Sequence, residues 1–147
     1  MPKLVVDTCV FIRLEGVYKA TYECILKSSD VMYATKEIIK EYIGVKVPSK
    51  LFLVKAFVQK LETIKKLIIK NRSYVKARVK RLENVKTFHY PTDNGDRKFV
   101  EVAIATKARY LISNDPDILD LLPNRYNGEQ TDNITPSRYV EINSQLN

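Results

Sequence analysis

The stretch Asp93–Leu122, DNGDRKFVEVAIATKARYLISNDPDILDLL, constrains the fold more than any other part of the chain. Asp93-Asn94-Gly95 is a strong turn signal. A helix starting near Asp96 carries Phe99, Val102, Ala103 and Thr106 on one face, the spacing of a half-buried helix. Tyr110-Leu111-Ile112 is then a short apolar run suited to a buried parallel strand, and it ends in Ser113-Asn114-Asp115-Pro116-Asp117. Asp96 therefore stands at a helix start and Asp115 just past a strand end. In open α/β sheets ligands bind at the carboxyl ends of the strands.

The rest of the chain repeats this alternation. Lys3-Leu4-Val5-Val6 reads as a central strand ending at Asp7-Thr8. Asp7 is then either a poorly solvated acid that needs a partner or the cap of the following helix, a role that suits Asp equally well. Val10 to Ser28 is helical in pattern, weakened by Gly16, and Val31 to Ala34 is a second strand. Thr35 looks like the N-cap of a helix from Lys36 to Ile43 that stops at Gly44. Glu41 lies among the apolar residues of that helix; in isolation it reads as a surface acid paired with a nearby lysine. Lys50 to Arg81 reads as one long helix, or two broken near Asn71-Arg72-Ser73, with Val54, Phe57, Leu61, Ile64 and Ile68 as its core stripe. Val85 to Phe88 is a third strand, and Asn124 to Asp132 is a polar loop. Ile134 marks a last short strand, and Thr135-Pro136 opens a closing helix. Strands alternating with helices define an α/β protein with a parallel sheet. At 147 residues, one domain spanning 1–147 is expected.

Charge is unevenly distributed. Residues 46–86 hold 13 Lys or Arg against Glu62 and Glu83, a net +11, while the remainder carries −3 of the overall +8. A basic helical segment of this density lacks the interspersed acids of an ordinary exposed helix and suits a polyanion. Lys66, Lys70, Arg72, Lys76, Arg78, Lys80 and Arg81 are its candidate nucleic-acid contacts, with Tyr74 among them as a ring on which a base could stack. No apolar run approaches the length of a membrane span, and Asp7 interrupts the only apolar stretch near the start, so a cytoplasmic protein without a signal peptide is expected. Cys9 and Cys24 are too few for a disulfide scaffold and read as reduced core thiols. His89 is the single histidine and is left outside the site.

Four acids, Asp7, Glu41, Asp96 and Asp115, fall at strand ends or on helices beside them. Converging carboxylates repel unless protonated or neutralised. Hard divalent cations take oxygen ligands of this kind. Such an ion can activate a water against a phosphodiester. Asp117 is a spare acid, read here as the cap of a helix from Ile118 to Leu122.

The pieces LVVDTCVF, EIIKEYIGV, DRKFVEVAIATKARYLISNDPDIL and ITPSRYVE, in that order, resemble the PIN-domain family. The resemblance is to the VapC-like ribonuclease toxins of prokaryotic toxin–antitoxin pairs. It implies a three-layer α/β/α sandwich with a central parallel sheet, Mg²⁺ or Mn²⁺ in an acidic pocket, and cleavage of single-stranded RNA. By the same resemblance Asp7, Asp96 and Asp115 hold the metal, and Glu41 is a ligand or orients the attacking water. Thr8 and Ser113 supply hydroxyls that fix carboxylates or water, with Asp117 nearby. An antitoxin protein and a second copy of the chain are the implied partners. Cys9 stands where the family often has Asn, and no family residue carries over onto residues 46–86. Two other readings compete: a catalytically silent RNA-binding or regulatory PIN-like protein, and another metal-assisted phosphohydrolase. A phosphatase of the haloacid dehalogenase type would need a second Asp where Cys9 stands.

Overall fold

The computed structural model describes residues 2–44, 48–80, 91, 94–121, 124–126 and 129–145. In chain order its elements are β1 (Lys3–Val6), α1 (Thr8–Phe11), α2 (Lys19–Lys27), β2 (Val31–Thr35), α3 (Lys36–Ile43), α4 (Pro48–Thr63), β3 (Leu67–Lys70) and α5 (Arg72–Lys80). A 3₁₀ turn (Asn94–Asp96) follows, then α6 (Arg97–Ala105), β4 (Tyr110–Ile112), α7 (Pro116–Leu119), β5 (Asn124–Tyr126), β6 (Glu129–Ile134) and α8 (Pro136–Gln145). The strand order is β3-β2-β1-β4-β6-β5, parallel throughout except for the edge strand β5, which runs antiparallel to β6. This is the expected α/β/α sandwich on a parallel sheet.

The centre of the sheet is dry because both its faces are covered. Leu4, Val5, Val6, Leu111 and Ile112 are all essentially inaccessible. Each such side chain contributes about 1.5–3 kcal/mol by leaving water. Crossovers from β1 to β2 and from β2 to β3 run one way along the sheet, and the return to β4 runs the other. With right-handed connections, the two sets of helices take opposite faces. On one of them α5 packs on α6, which lies across β1, β2 and β4; α2 packs on α8. The direction of progress reverses between β1 and β4, which leaves a crevice at their carboxyl ends.

Local signals placed most elements. Thr35 caps α3 by accepting the Ile38 N–H at 3.3 Å, and the chain leaves that helix at Gly44. Thr135 accepts the Arg138 N–H at 3.1 Å, with Pro136 opening α8. Four expectations need correction. The region read as continuous helix from Lys50 is helix, strand, helix: α4 ends at Thr63, Ile64 is exposed, and Ile68 lies in β3. The stop is a Schellman motif without glycine. Lys66 N–H reaches Leu61 O at 2.9 Å, Lys65 N–H reaches Glu62 O at 3.1 Å, and Lys65 itself is left-handed at φ 61°. The span expected as one helix up to Ser28 is the short α1, a turn through Gly16, and α2. The polar loop before Ile134 contains β5 and β6, whose strand character comes from pairing with β4 and from Thr131 Oγ1 donating to Ala108 O at 2.6 Å. Cys9 is exposed rather than in the core, and both cysteines are free. The strand expected at Val85–Phe88, together with Arg81 and His89, lies outside the described residues.

Candidate metal centre and nucleic-acid face

Asp7 is the hub of the crevice. It follows β1, is 5% exposed, and stands at the N-cap position of α1 without using its side chain as a cap. Its Oδ2 instead accepts the Ser113 hydroxyl at 2.8 Å. Ser113 is fully buried just past β4, and its Oγ also accepts the Asp115 N–H at 2.9 Å. One hydroxyl thus joins the ends of two neighbouring strands. Burial, opposed in part by the Ser113 and Thr8 hydrogen bonds, pushes the Asp7 carboxyl up from its ordinary 3.8. The charges of Asp115 and Glu41 push it in the same direction.

Asp115 is the N-cap of α7, accepting the Asp117 N–H at 2.9 Å ahead of Pro116. The capping role expected of Asp117 therefore belongs to Asp115, because proline fits the first helical position and the cap must precede it. Asp117 is freed in the first turn of α7. Asp96 stands at the N-cap position of α6, also without a capping side-chain bond, where the helix's positive end favours a carboxylate. Asp96, Asp115 and Asp117 each offer an oxygen within 4.8 Å of the others, graded from Asp96 inside to Asp117 at the surface.

Glu41 does not join that group. Its Oε2 accepts the Thr8 hydroxyl and its Oε1 pairs with Lys98 Nζ at 2.9 Å. Its helix is pinned by the next residue: the buried Tyr42 hydroxyl donates to Val6 O, and the Tyr42 ring stacks on Phe11 at 3.8 Å. Val6 precedes Asp7, so Tyr42 fixes the positions of Glu41 and Asp7 together. Tyr42 is legible in the sequence only as an apolar-face residue of α3, not as a donor to Val6 O, and Lys98 escaped the sequence reading. The one clue was that Glu41 in isolation suggested a lysine partner; nothing local said which lysine.

The donors present suit a hard divalent cation. They are carboxylate oxygens, three of them mutually close, with Asp115 linked through Ser113 to the buried Asp7, which burial first and then the charges of Asp115 and Glu41 push toward protonation. A positive ion would relieve that repulsion.

The basic residues divide into two groups. Lys66 Nζ donates to Ser28 O at 2.6 Å and Asp30 O at 3.0 Å, at the amino-terminal edge of the sheet, and burial lowers its pKa. Its charge serves the fold there. Lys70 lies over the rings of Tyr33 and Tyr74 at 5.9 and 4.8 Å, and the Arg78 guanidinium covers Tyr74 at 3.4 Å. The Tyr74 ring therefore already carries cations. Arg72 and Lys76 are exposed on α5 and line a 190 Å³ cleft with Thr35, Glu37, Asn94, Lys98 and Glu101, beside the acidic cluster. Lys80 is exposed at the end of α5.

A family model described as PIN domain matches residues 3–117, and the chain belongs to that family. PIN domains are generally nucleases and generally use divalent metals. Among solved structures the chain is similar to VapBC2 from Rickettsia felis, solved bound to a DNA fragment from its promoter. The two share 15% identity with a TM-score of 0.50, over 89% of this chain and 98% of that one. At that identity the likeness concerns the fold. No curated protein matches.

Proposed function

We propose that this chain is a divalent-metal-dependent endoribonuclease acting on single-stranded RNA, and the toxin of a toxin–antitoxin pair. The observation that carries the reading is the approach of Asp96, Asp115 and Asp117 within 4.8 Å at the crevice where the sheet reverses, with the buried Asp7 tied to Asp115 through Ser113. These residues would hold Mg²⁺ or Mn²⁺, which when bound supplies an activated water and charge for the phosphodiester. Ser113 holds Asp7 and Asp115 at a fixed separation, and Thr8 orients Glu41. Arg72 and Lys76 would take phosphates of the strand entering from α5, with Lys80 further out. Such contacts act through counterion release.

The antitoxin part of the reading is supported by the fold shared with a protein of a VapBC complex. It is also supported by an apolar surface that invites a protein partner. Val17, Phe52 and Leu53 are exposed, and Val17 and Leu53 line a 550 Å³ groove between the turn after α1 and α4. Pairing of two copies belongs to the same reading.

The test is single-turnover cleavage of a single-stranded RNA with Mn²⁺. Asp96→Asn and Asp115→Asn should each lose roughly 10²–10³-fold, the scale for removing one group that positions charge in a transition state. The double variant should lose little more, because groups acting as a unit are not additive. Wild-type protein that binds the RNA and does not cut it with metal present would make this a binding protein on a nuclease fold.

A further inference from the structure

We propose that Lys98 fills the place of a second cation, so that the acidic crevice takes one divalent ion and one ammonium. This rests on the metal reading above and concerns how the charge of that site is shared. Among the described residues five acids gather here: Asp7, Glu41, Asp96, Asp115 and Asp117. Nucleases with this much negative charge can hold two ions about 3.5–4 Å apart. In this chain the acids divide. Asp96, Asp115 and Asp117 bring their oxygens together, Asp7 is held by the Ser113 hydroxyl, and Glu41 is held apart with both oxygens engaged.

The Lys98–Glu41 pair is not a loose surface ion pair. The lysine side chain is 17% exposed and the glutamate 39%, so the lysine is the more buried partner of the pair. A second bond, Nζ to Gly95 O at 2.7 Å, fixes the ammonium beside the turn that presents Asp96. Lys98 thus touches Glu41 directly and, through Gly95 O, the turn that carries Asp96. An ammonium has three donors in a compact head. Two are used here, on Glu41 and Gly95 O, and the ammonium also lies over the Phe99 ring at 5.4 Å. A divalent ion binding at Glu41 would have to displace this held ammonium or sit against its charge. Lys98 is therefore a positioning residue: it neutralises Glu41 and keeps it out of the metal's ligand set.

Titration of the full chain with MnCl₂, read by calorimetry and by the Mn²⁺ electron paramagnetic resonance signal, tests this without reference to cleavage. Wild type should bind one Mn²⁺ per chain. Lys98→Met should bind two, and Lys98→Arg should return to one, because the charge is restored. The double variant Lys98→Met/Glu41→Gln should also bind one, since the freed carboxylate is gone. Lys98→Gln, which removes the charge but keeps a donor for Gly95 O, should bind two and keeps the test usable if Lys98→Met fails to fold. Two ions in the wild type, or one in a folded Lys98→Met, would overturn the proposal. No binding by any of these proteins would overturn the metal reading of the site, and this inference with it.

Discussion

Two aspartates of this chain are buried almost equally, at opposite edges of one sheet. Asp7 follows β1 at the carboxyl edge and is 5% exposed; Asp30 precedes β2 at the amino edge and is 7% exposed. Their surroundings have opposite sign. Asp30 accepts the hydroxyl of the fully buried Tyr139, Ser28 Oγ accepts the Asp30 N–H at 3.1 Å, and Lys66 holds the Ser28 and Asp30 carbonyls. Asp7 has the Ser113 hydroxyl on one oxygen and faces the charges of Asp115 and Glu41. Burying a carboxylate is tolerable when donors surround it and costly when other carboxylates do. The amino edge therefore anchors α8 to the sheet. At the carboxyl edge burial, and after it the neighbouring carboxylates, oppose the charged form of Asp7, which a proton or a nearby cation relieves.

The largest stability effect should come from the amino edge. Tyr139→Phe removes the donor to Asp30 and should cost roughly 1–3 kcal/mol, the cost of leaving a buried polar group unsatisfied. Chemical denaturation measures it. The rise in melting temperature on adding Mn²⁺ should stay at its wild-type value in this variant. A Mn²⁺ response that shrank in Tyr139→Phe would mean that the two edges are coupled.

At the other edge the sign should reverse. The Asp7 carboxyl is raised in the folded protein, first by burial and then by Asp115 and Glu41. The native state thus binds a proton more tightly than the unfolded chain does. Stability from this group is fully present below the ordinary value of 3.8 and is lost as pH rises through the raised folded value. In chelator, Asp7→Asn should therefore be more stable than wild type near neutral pH. The gain should close as pH falls toward the ordinary carboxyl range. With Mn²⁺ added, the wild type should gain more than the variant, because an ion bound to the native state alone stabilises it. Thermal melts at several pH values, with and without metal, read all three effects. A variant less stable than wild type at neutral pH in chelator would place Asp7 with Asp30 as a structural anchor.

The smallest effect tests whether the amino edge carries local strain of its own. Lys65 is left-handed at φ 61° where α4 turns into β3. A side chain in that conformation costs about 1–2 kcal/mol per residue, and glycine avoids the cost. Lys65→Gly should raise stability by about 1 kcal/mol or less, since glycine also loses more entropy on folding. Its Mn²⁺ response should match wild type. A loss of stability would show that the lysine side chain does more than turn the chain.

The sequence by itself determined the elements whose causes are local. Buried strands such as Val31–Ala34 and Tyr110–Ile112 announce themselves as apolar runs, and Thr35 and Thr135-Pro136 announce helix starts. It also placed Asp7 and Asp115 after strands and Asp96 at a helix start, because charge must stop a buried strand or begin a helix. The end of α4 was illegible because its stop is a lysine in a glycine's conformation. β6 was illegible because its residues, EQTDNI, pair as a strand only against β4. The contacts that define the two edges belong to the tertiary structure alone. Thr8 meets Glu41 across 33 residues, Ser113 meets Asp7 across 106, and Tyr139 meets Asp30 across 109. Periodicity and capping report on neighbours within a turn or two. Which lysine reaches Glu41, and which buried aspartate is given donors, depends on how distant strands and helices are brought together, and only the folded sheet fixes that.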